Sequence, residues 1–368
     1  MKKASILVIY SLLVFAIVSC QKDEPVLPIA RPPIETPIDT IGTFKATPYF
    51  IQVPFSLPAF PEQILNPLTV EGVSLGRKLF FDKILSRGEK QSCGSCHNQL
   101  FGFTDNGRQF SLGGDGQVGL RNSMPLFNLA YVEKFAKTNH RFFWDGSIPD
   151  LENHVLAPIT NPLEMDETLP NVINKLRNSP IYPALFKKAF GSDSITTKML
   201  MHAIAQFERT ILSGGNRFDY YRAGLETLSP QEKRGLDVFL SEEKGDCFHC
   251  HAVGPLTTDF SFRHNGHQTP DRGLGAITNN SEDNGKFRVA SLSNLVFTAP
   301  YMHDGRLNTL EEVVEFYNSG AIRVPPADPV ITKHSNGLQL TTEEKADLVA
   351  FLKTMTDTAL VTNVNFKP

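Results

Sequence analysis

The sequence predicts a mainly α-helical protein of two related domains, each with long loops, and three observations point there. Two short runs repeat one pattern far apart: Cys93-Gly94-Ser95-Cys96-His97 and Cys247-Phe248-His249-Cys250-His251, both C-x-x-C-H. The segments leading into them echo each other. "LTVEGVSLGRKLFFDKILSRGEKQSCGSCH" and "LSPQEKRGLDVFLSEEKGDCFHCH" each carry a Ser or Thr at a helix start, then Gly76 or Gly235, then an apolar pair, Leu79-Phe80 or Val238-Phe239. Two copies of one supersecondary unit predict two copies of one domain. Finally, no stretch shows the sustained alternation of a sheet, whereas helical spacing recurs.

A chain of 368 residues with 41% hydrophobic side chains has length for about two domains and enough apolar mass for real cores. The formal charge of −3 is modest and argues against nucleic acid as a partner, which calls for a basic face.

In chain order, residues 1–19 read as a signal peptide. Lys2 and Lys3 precede an apolar run from Ile6 to Val18, the length of a signal core and too short to span a bilayer comfortably. Ile17-Val18-Ser19-Cys20 resembles a lipobox, so Cys20 is expected to carry lipid as the first mature residue. The following "QKDE" resembles a surface-export tag. Residues 20–58, rich in proline, read as an extended tether. The first domain is expected over 59–222 and closes with a helix whose Leu200, Ile204, Phe207 and Ile211 share one face. The junction falls in "LSGGNRFDYYRAGLETLSP". The second domain, 223–368, opens with the capping box Ser229-Pro230-Gln231-Glu232, proline at the first helical position. It closes with a helix capped by Thr341 and Glu344 that buries Leu348, Phe351 and Leu352.

The cysteines carry the chemistry. Cys20 goes to lipid and Cys93, Cys96, Cys247 and Cys250 to the two motifs, which leaves none for a disulfide. C-x-x-C-H is the attachment signature of a c-type haem, with the histidine as an axial iron ligand. A zinc site or a thioredoxin-like pair uses C-x-x-C but does not require the trailing histidine twice. Two covalently bound haem c groups, on His97 and His251, and two cytochrome-c-like domains are therefore expected. The other face of the first iron poses a question, because no His, Met or Cys occurs between His97 and Asn122.

Further motifs make the comparison specific. "RNSMPLFNLAY", "FFWDGSIPDLENHVLAPITNPLEM" and "FRVASLSNLVFTAPYMHDGRLNTLEEVVEFY", with the haem motifs, resemble the bacterial dihaem cytochrome c peroxidase family, including its relative in methylamine utilisation. The resemblance covers roughly residues 60 to 355. It implies a peroxide-reacting first haem and an electron-receiving second one, with electrons from a small c-type cytochrome or cupredoxin. It implies Glu164 as the catalytic acid–base, since breaking a peroxide O–O bond needs a group that takes a proton from one oxygen and returns it to the other. Trp144, the chain's one tryptophan, becomes the relay between haems. Asn122, Thr298 and Pro300 fall where the family holds a calcium ion, suited by hard oxygen donors. The family also leaves a homodimer open.

Three positions depart from the family. His154 stands where a glutamine is usual; an imidazole there hydrogen-bonds peroxide, acts as a second base, binds the iron or is merely structural. Gly114 stands where many members have a histidine that caps the first iron, so that iron is expected to rest open to peroxide. Seventeen residues beyond Pro300, at the usual methionine ligand, is Tyr317, with Met302 as the alternative. A tyrosine ligand would lower the potential of the second haem. Three functions follow: a peroxidase reducing hydrogen peroxide to water, an oxidase-like enzyme that uses a high-valent haem state to modify a protein or organic substrate, or a plain dihaem electron carrier. The carrier is disfavoured by Glu164 and by the missing ligand. The setting is an exported lipoprotein, anchored on the periplasmic side or at the cell surface.

Overall fold

A computed structural model describes residues 45–139, 142–323 and 325–368. The leader, Cys20 and the tether as far as residue 44 lie outside the described residues. The remainder of the expected tether is not extended away from the body. The Tyr49 N–H donates to the Leu68 carbonyl and the Val70 N–H to the Thr47 carbonyl. Leu57 is buried with Tyr131, Leu212 and Leu256. Proline content reports a lack of regular backbone pairing, and a segment without it can still bury apolar side chains.

Each half is built on one helix crossing. In the first, Val70–Phe81 packs across Thr197–Thr210, with Leu79, Phe80, Leu200, Ile204, Phe207 and Ile211 all inaccessible to solvent. The Thr69 side chain caps the first helix by accepting from the Gly72 N–H at 3.0 Å. In the second, Pro230–Leu240 packs across Thr342–Lys353, burying Val238, Phe239, Leu348, Phe351 and Leu352. The two glycines of the echo sit at the crossings. A Cβ on Gly76 would collide with the Ala203 carbonyl, and one on Gly235 with the Asp347 carbonyl; Phe207 and Phe351 lie just beyond. Only glycine lets the helices approach this closely, which explains why the motif repeats.

Among the described residues, the only sheet is a pair of two-residue strands, Phe262–Arg263 antiparallel to Phe287–Arg288. No helix among them is long and apolar enough to cross a membrane.

The halves are joined by a buried polar seam. Ser213 Oγ donates to Asp357 Oδ2 at 2.9 Å and accepts from Asn294 Nδ2 at 2.8 Å. Its backbone pairs with the Asn128 side chain in both directions, at 2.9 Å each. Every partner is satisfied, so the seam fixes register without a desolvation cost left open. Beyond Asp357 the chain returns to the first half. Leu360 and Phe366 enter its core, and Gln99 Nε2 donates to the Leu360 and Asn363 carbonyls. The expected boundary at the C-terminus thus differs from the packing, because the final residues serve the other domain's core.

Candidate active site

At the first motif the chain forms a single helical turn, Cys93–Cys96, closed by a reciprocal Ser92/Ser95 capping box. The His97 N–H bonds the Cys93 carbonyl at 2.9 Å. Its ring Nδ1 lies 2.9 Å from the Phe103 carbonyl, which can only accept, so Nδ1 carries the proton and Nε2 is left as a donor for iron. Burial holds the ring neutral by lowering its pKa.

Glu164 is held from several sides. Its carbonyl accepts from Gln91 Nε2 at 2.6 Å and from the Gly114 N–H at 2.9 Å, and its Oε1 accepts from Asn161 Nδ2 at 2.7 Å. Gln91 stands two residues before Cys93, so the loop of the acid and the attachment turn are fastened together. Burial pushes the Glu164 carboxyl above the ordinary range, against the pull of Asn161 and His154. Gly114, where the family carries its capping ligand, lies against this same loop.

His154 packs on Phe142 and Phe143, ring centroids 5.5 and 4.9 Å away. Its Nδ1 is 3.7 Å from Oε2 of Glu208, and both atoms are buried without a hydrogen-bond partner. The charges of His154 and Glu208 act on His97, and those of Glu208 and Glu164 on Cys93, so these side chains share one neighbourhood.

Trp144 stands between the halves. Its Nε1 donates to the Asn122 carbonyl at 2.8 Å, while Ser123, the next residue, approaches His97 Nδ1 at 3.4 Å. Its own carbonyl accepts from the Arg288 N–H at 2.9 Å, and its ring borders the second cavity.

That cavity opens beside Cys247, Cys250 and His251, with about 1680 Å³ free of protein atoms counting its mouth. Its walls are largely apolar, from Phe239, Leu292, Leu295, Val314, Leu348 and Leu352. The His251 N–H bonds the Cys247 carbonyl at 2.9 Å, the same turn as in the first motif. Tyr317 and Met302 both line this space, and Asn265 Nδ2 serves both: 3.2 Å to the Tyr317 hydroxyl and 3.5 Å to the Met302 sulfur. Burial pushes the tyrosine up to about 12. Tyr317 lies in a π-helical turn, Phe316–Gly320, a distortion frequent at functional sites.

The residues fit haem. Both imidazoles follow thiol pairs on one turn, the second space is large and apolar, and Arg288 supplies a buried guanidinium whose terminal nitrogens have no partner. Haem carboxylates are the partners such a cation requires. Asn122, Thr298 and Pro300 all line the same cavity. Both bonds from Asn122 Nδ2 go to the Arg108 and Gln109 carbonyls, which leaves Oδ1 as the side chain's acceptor.

Sequence reading missed Glu208, Arg288 and Asn265. Glu208 had a visible signal: it follows Ile204 by four residues and so falls on the core face of an amphipathic helix, where an acid is out of place. Arg288 and Asn265 had none, since their roles come from what the fold brings to them.

A family model described as di-haem cytochrome c peroxidase matches residues 70–227. The methylamine utilization protein MauG of Methylophilus methylotrophus is 33% identical over 305 residues, covering 82% of this chain and 87% of that protein. Cytochrome c551 peroxidase of Nitrosomonas europaea is 34% identical over 307 residues, 81% of this chain and 84% of its own. The crystal structure of a MauG-like protein associated with microbial copper homeostasis superposes with a TM-score of 0.76 at 32% identity, covering 86% of this chain and 97% of that one. Similarity at this level, sustained through both halves and both haem motifs, makes the chain a member of the di-haem cytochrome c peroxidase family.

Proposed function

We propose that the chain is an exported di-haem peroxidase. It reduces one hydrogen peroxide to two waters with two protons and two electrons, drawn from a small c-type cytochrome or cupredoxin. One haem c is attached at Cys93 and Cys96 in the first domain (59–222) and the other at Cys247 and Cys250 in the second (223–368). His97 and His251 are their protein ligands. When bound, the haems supply the redox chemistry of O–O cleavage and the path for electrons.

The observation that carries this reading is the half-buried Glu164 loop, bonded at once to Gln91 beside the first motif and to Gly114. A carboxylate in that position, raised by burial, takes the proton from one peroxide oxygen and hands it to the other. Gly114 presents no side chain to compete for the same space. His154, with Nδ1 facing Glu208, is held as a hydrogen-bonding partner for peroxide, and Glu208 acts as its positioning residue. Trp144 relays charge between the pockets. Tyr317, rather than Met302, would be the second protein ligand of the haem at His251, because the N–H that Asn265 donates to its hydroxyl favours the phenolate form. Asn122, Thr298 and Pro300 hold a calcium ion, and Cys20 carries the lipid anchor.

A second reading keeps the same pockets but spends the oxidising equivalents on a protein or organic substrate. The half-buried Tyr317 favours it, since such a ligand would resist prior reduction of the second haem. Resting-state EPR tests the shared basis: a substantial high-spin ferric signal is expected, and two low-spin haems would point to an electron carrier. Steady-state turnover of peroxide with reduced cytochrome c then separates the two enzymes, and W144F should slow that turnover while sparing the first encounter with peroxide.

A further inference from the structure

We propose that His267, His303 and Asp304 form a site for a divalent first-row transition ion of the zinc type, beside the second pocket and separate from its haem ligands. This goes beyond the peroxidase reading and does not depend on it. His267 ends a tight turn in which Gly266 adopts a left-handed conformation and the His267 N–H donates to Asn265 Oδ1 at 3.2 Å. His303 and Asp304 sit in the turn between Tyr301 and Leu307, which the Tyr301 N–H to Leu307 carbonyl bond closes at 2.7 Å. Two distant loops thus bring two imidazoles and one carboxylate together, with one donor atom from each within 4.8 Å of the others.

Both histidines are almost wholly buried, at 2% and 4% exposure. Yet His303 Nε2 and Asp304 Oδ1 have no hydrogen-bond partner, and His267 turns its Nε2 toward Asp304. Two unpartnered polar atoms beside a third donor in one largely buried cluster are rare in a folded protein and call for a missing ligand. An ion held about 2.0–2.2 Å from each donor asks the side chains to close by less than an ångström. Two nitrogens and one carboxylate oxygen suit zinc, copper or cobalt rather than magnesium or calcium, which take oxygen. The same composition separates the site from Asn122, Thr298 and Pro300.

The surroundings set limits. Asp304 Oδ2 accepts from Arg306 Nε at 2.8 Å, which leaves Oδ1 for the ion, and His267 Nε2, 3.1 Å from Oδ2, exchanges that bond for the metal. Arg121, near His303, is neutralised by Asp145 at 2.6 Å and Asp271 at 2.7 Å. His303 stacks on Phe287 at 3.6 Å, which fixes its ring plane. The bound ion clamps the loop carrying Asn265 to the turn carrying Met302, and so steadies the amide that bonds Tyr317.

The test uses the haem-loaded protein, stripped with chelator, dialysed and titrated with Zn²⁺ under metal analysis. One zinc per chain is expected, lost in H267Q, weakened in D304N and retained in H202Q. X-ray absorption at the zinc edge of the wild-type protein should show a nitrogen- and oxygen-donor shell with imidazole scattering, a readout that survives even if a variant misfolds. Wild-type protein that takes up no zinc overturns the proposal, since the imidazoles would then be engaged by the haem carboxylates. So does uptake that persists unchanged in both folded variants, or a shell without imidazole.

Discussion

The two pockets start from the same turn of chain, with a histidine N–H bonded back to the first cysteine of its motif, and differ on the opposite side. Beside the first stand a half-buried carboxylic acid, an imidazole backed by a second acid, and a glycine. Beside the second stand a phenol and a thioether sharing one amide donor. The attachment motif determines where an iron is held. The side chains that meet its free face determine whether the site handles protons or only electrons.

The strongest way to break this contrast is at Glu164. E164Q removes the proposed proton carrier and keeps the shape, so peroxide turnover should fall by about 10²- to 10⁴-fold, the usual contribution of one acid–base group. Y317F, the matching change in the other pocket, should leave the reaction of the first pocket with peroxide nearly unchanged. Stopped-flow mixing with peroxide checks both, and equal losses would erase the distinction.

Gly114→His tests openness directly. A Cβ at Gly114 meets nothing closer than the Glu164 carbonyl at 3.8 Å, so a side chain can be carried there. The variant should convert the high-spin ferric signal to low spin and cut turnover of the oxidised enzyme, making the first pocket resemble the second.

The contrast extends to stability. Arg209, 3% exposed, holds Glu152 through two bonds of 2.6 and 2.9 Å in the first half. Arg234 holds Asp347 in the second but is about half exposed. E152Q leaves the buried Arg209 with only the looser Glu133 contact at 3.7 Å and should cost about 3 kcal/mol. D347N leaves a hydrated arginine and should cost roughly 1 kcal/mol or less. Chemical denaturation of the haem-loaded variants distinguishes them. The Glu152 contribution also has a pH signature. Burial raises its pKa, but the Arg209 bonds and charge outweigh that, and the net shift is downward. Its stabilisation is therefore present above the ordinary carboxylate value of about 4.3 and lost as pH falls through the lower folded value. E152Q should flatten that acid limb. The smallest effect is expected from N265A. It removes the shared amide, so the second haem potential should shift while peroxide turnover changes little, as measured by redox titration.

Much of this architecture is legible in the order of the residues. The two C-x-x-C-H turns, the capping boxes at Ser229 and Thr341 and the apolar faces of the closing helices are local patterns, and each lies where its spacing puts it. The Gly76/Gly235 echo is visible as a repeat, but its cause, a collision with a carbonyl on another helix, is not. Residues 45–58 read as tether and yet pack on the body, because composition says little about burial.

The sequence by itself determined the two histidine-bearing turns, the helical class and the duplicated design, because capping, helical periodicity and motif spacing act over a few residues. Tertiary structure alone decided that Glu208 backs His154, that Arg288 waits unpaired at the second cavity, that the final helix serves the first domain, and that His267 meets His303 and Asp304. Those juxtapositions join segments far apart in the chain, and only the packing of the whole molecule brings them within reach.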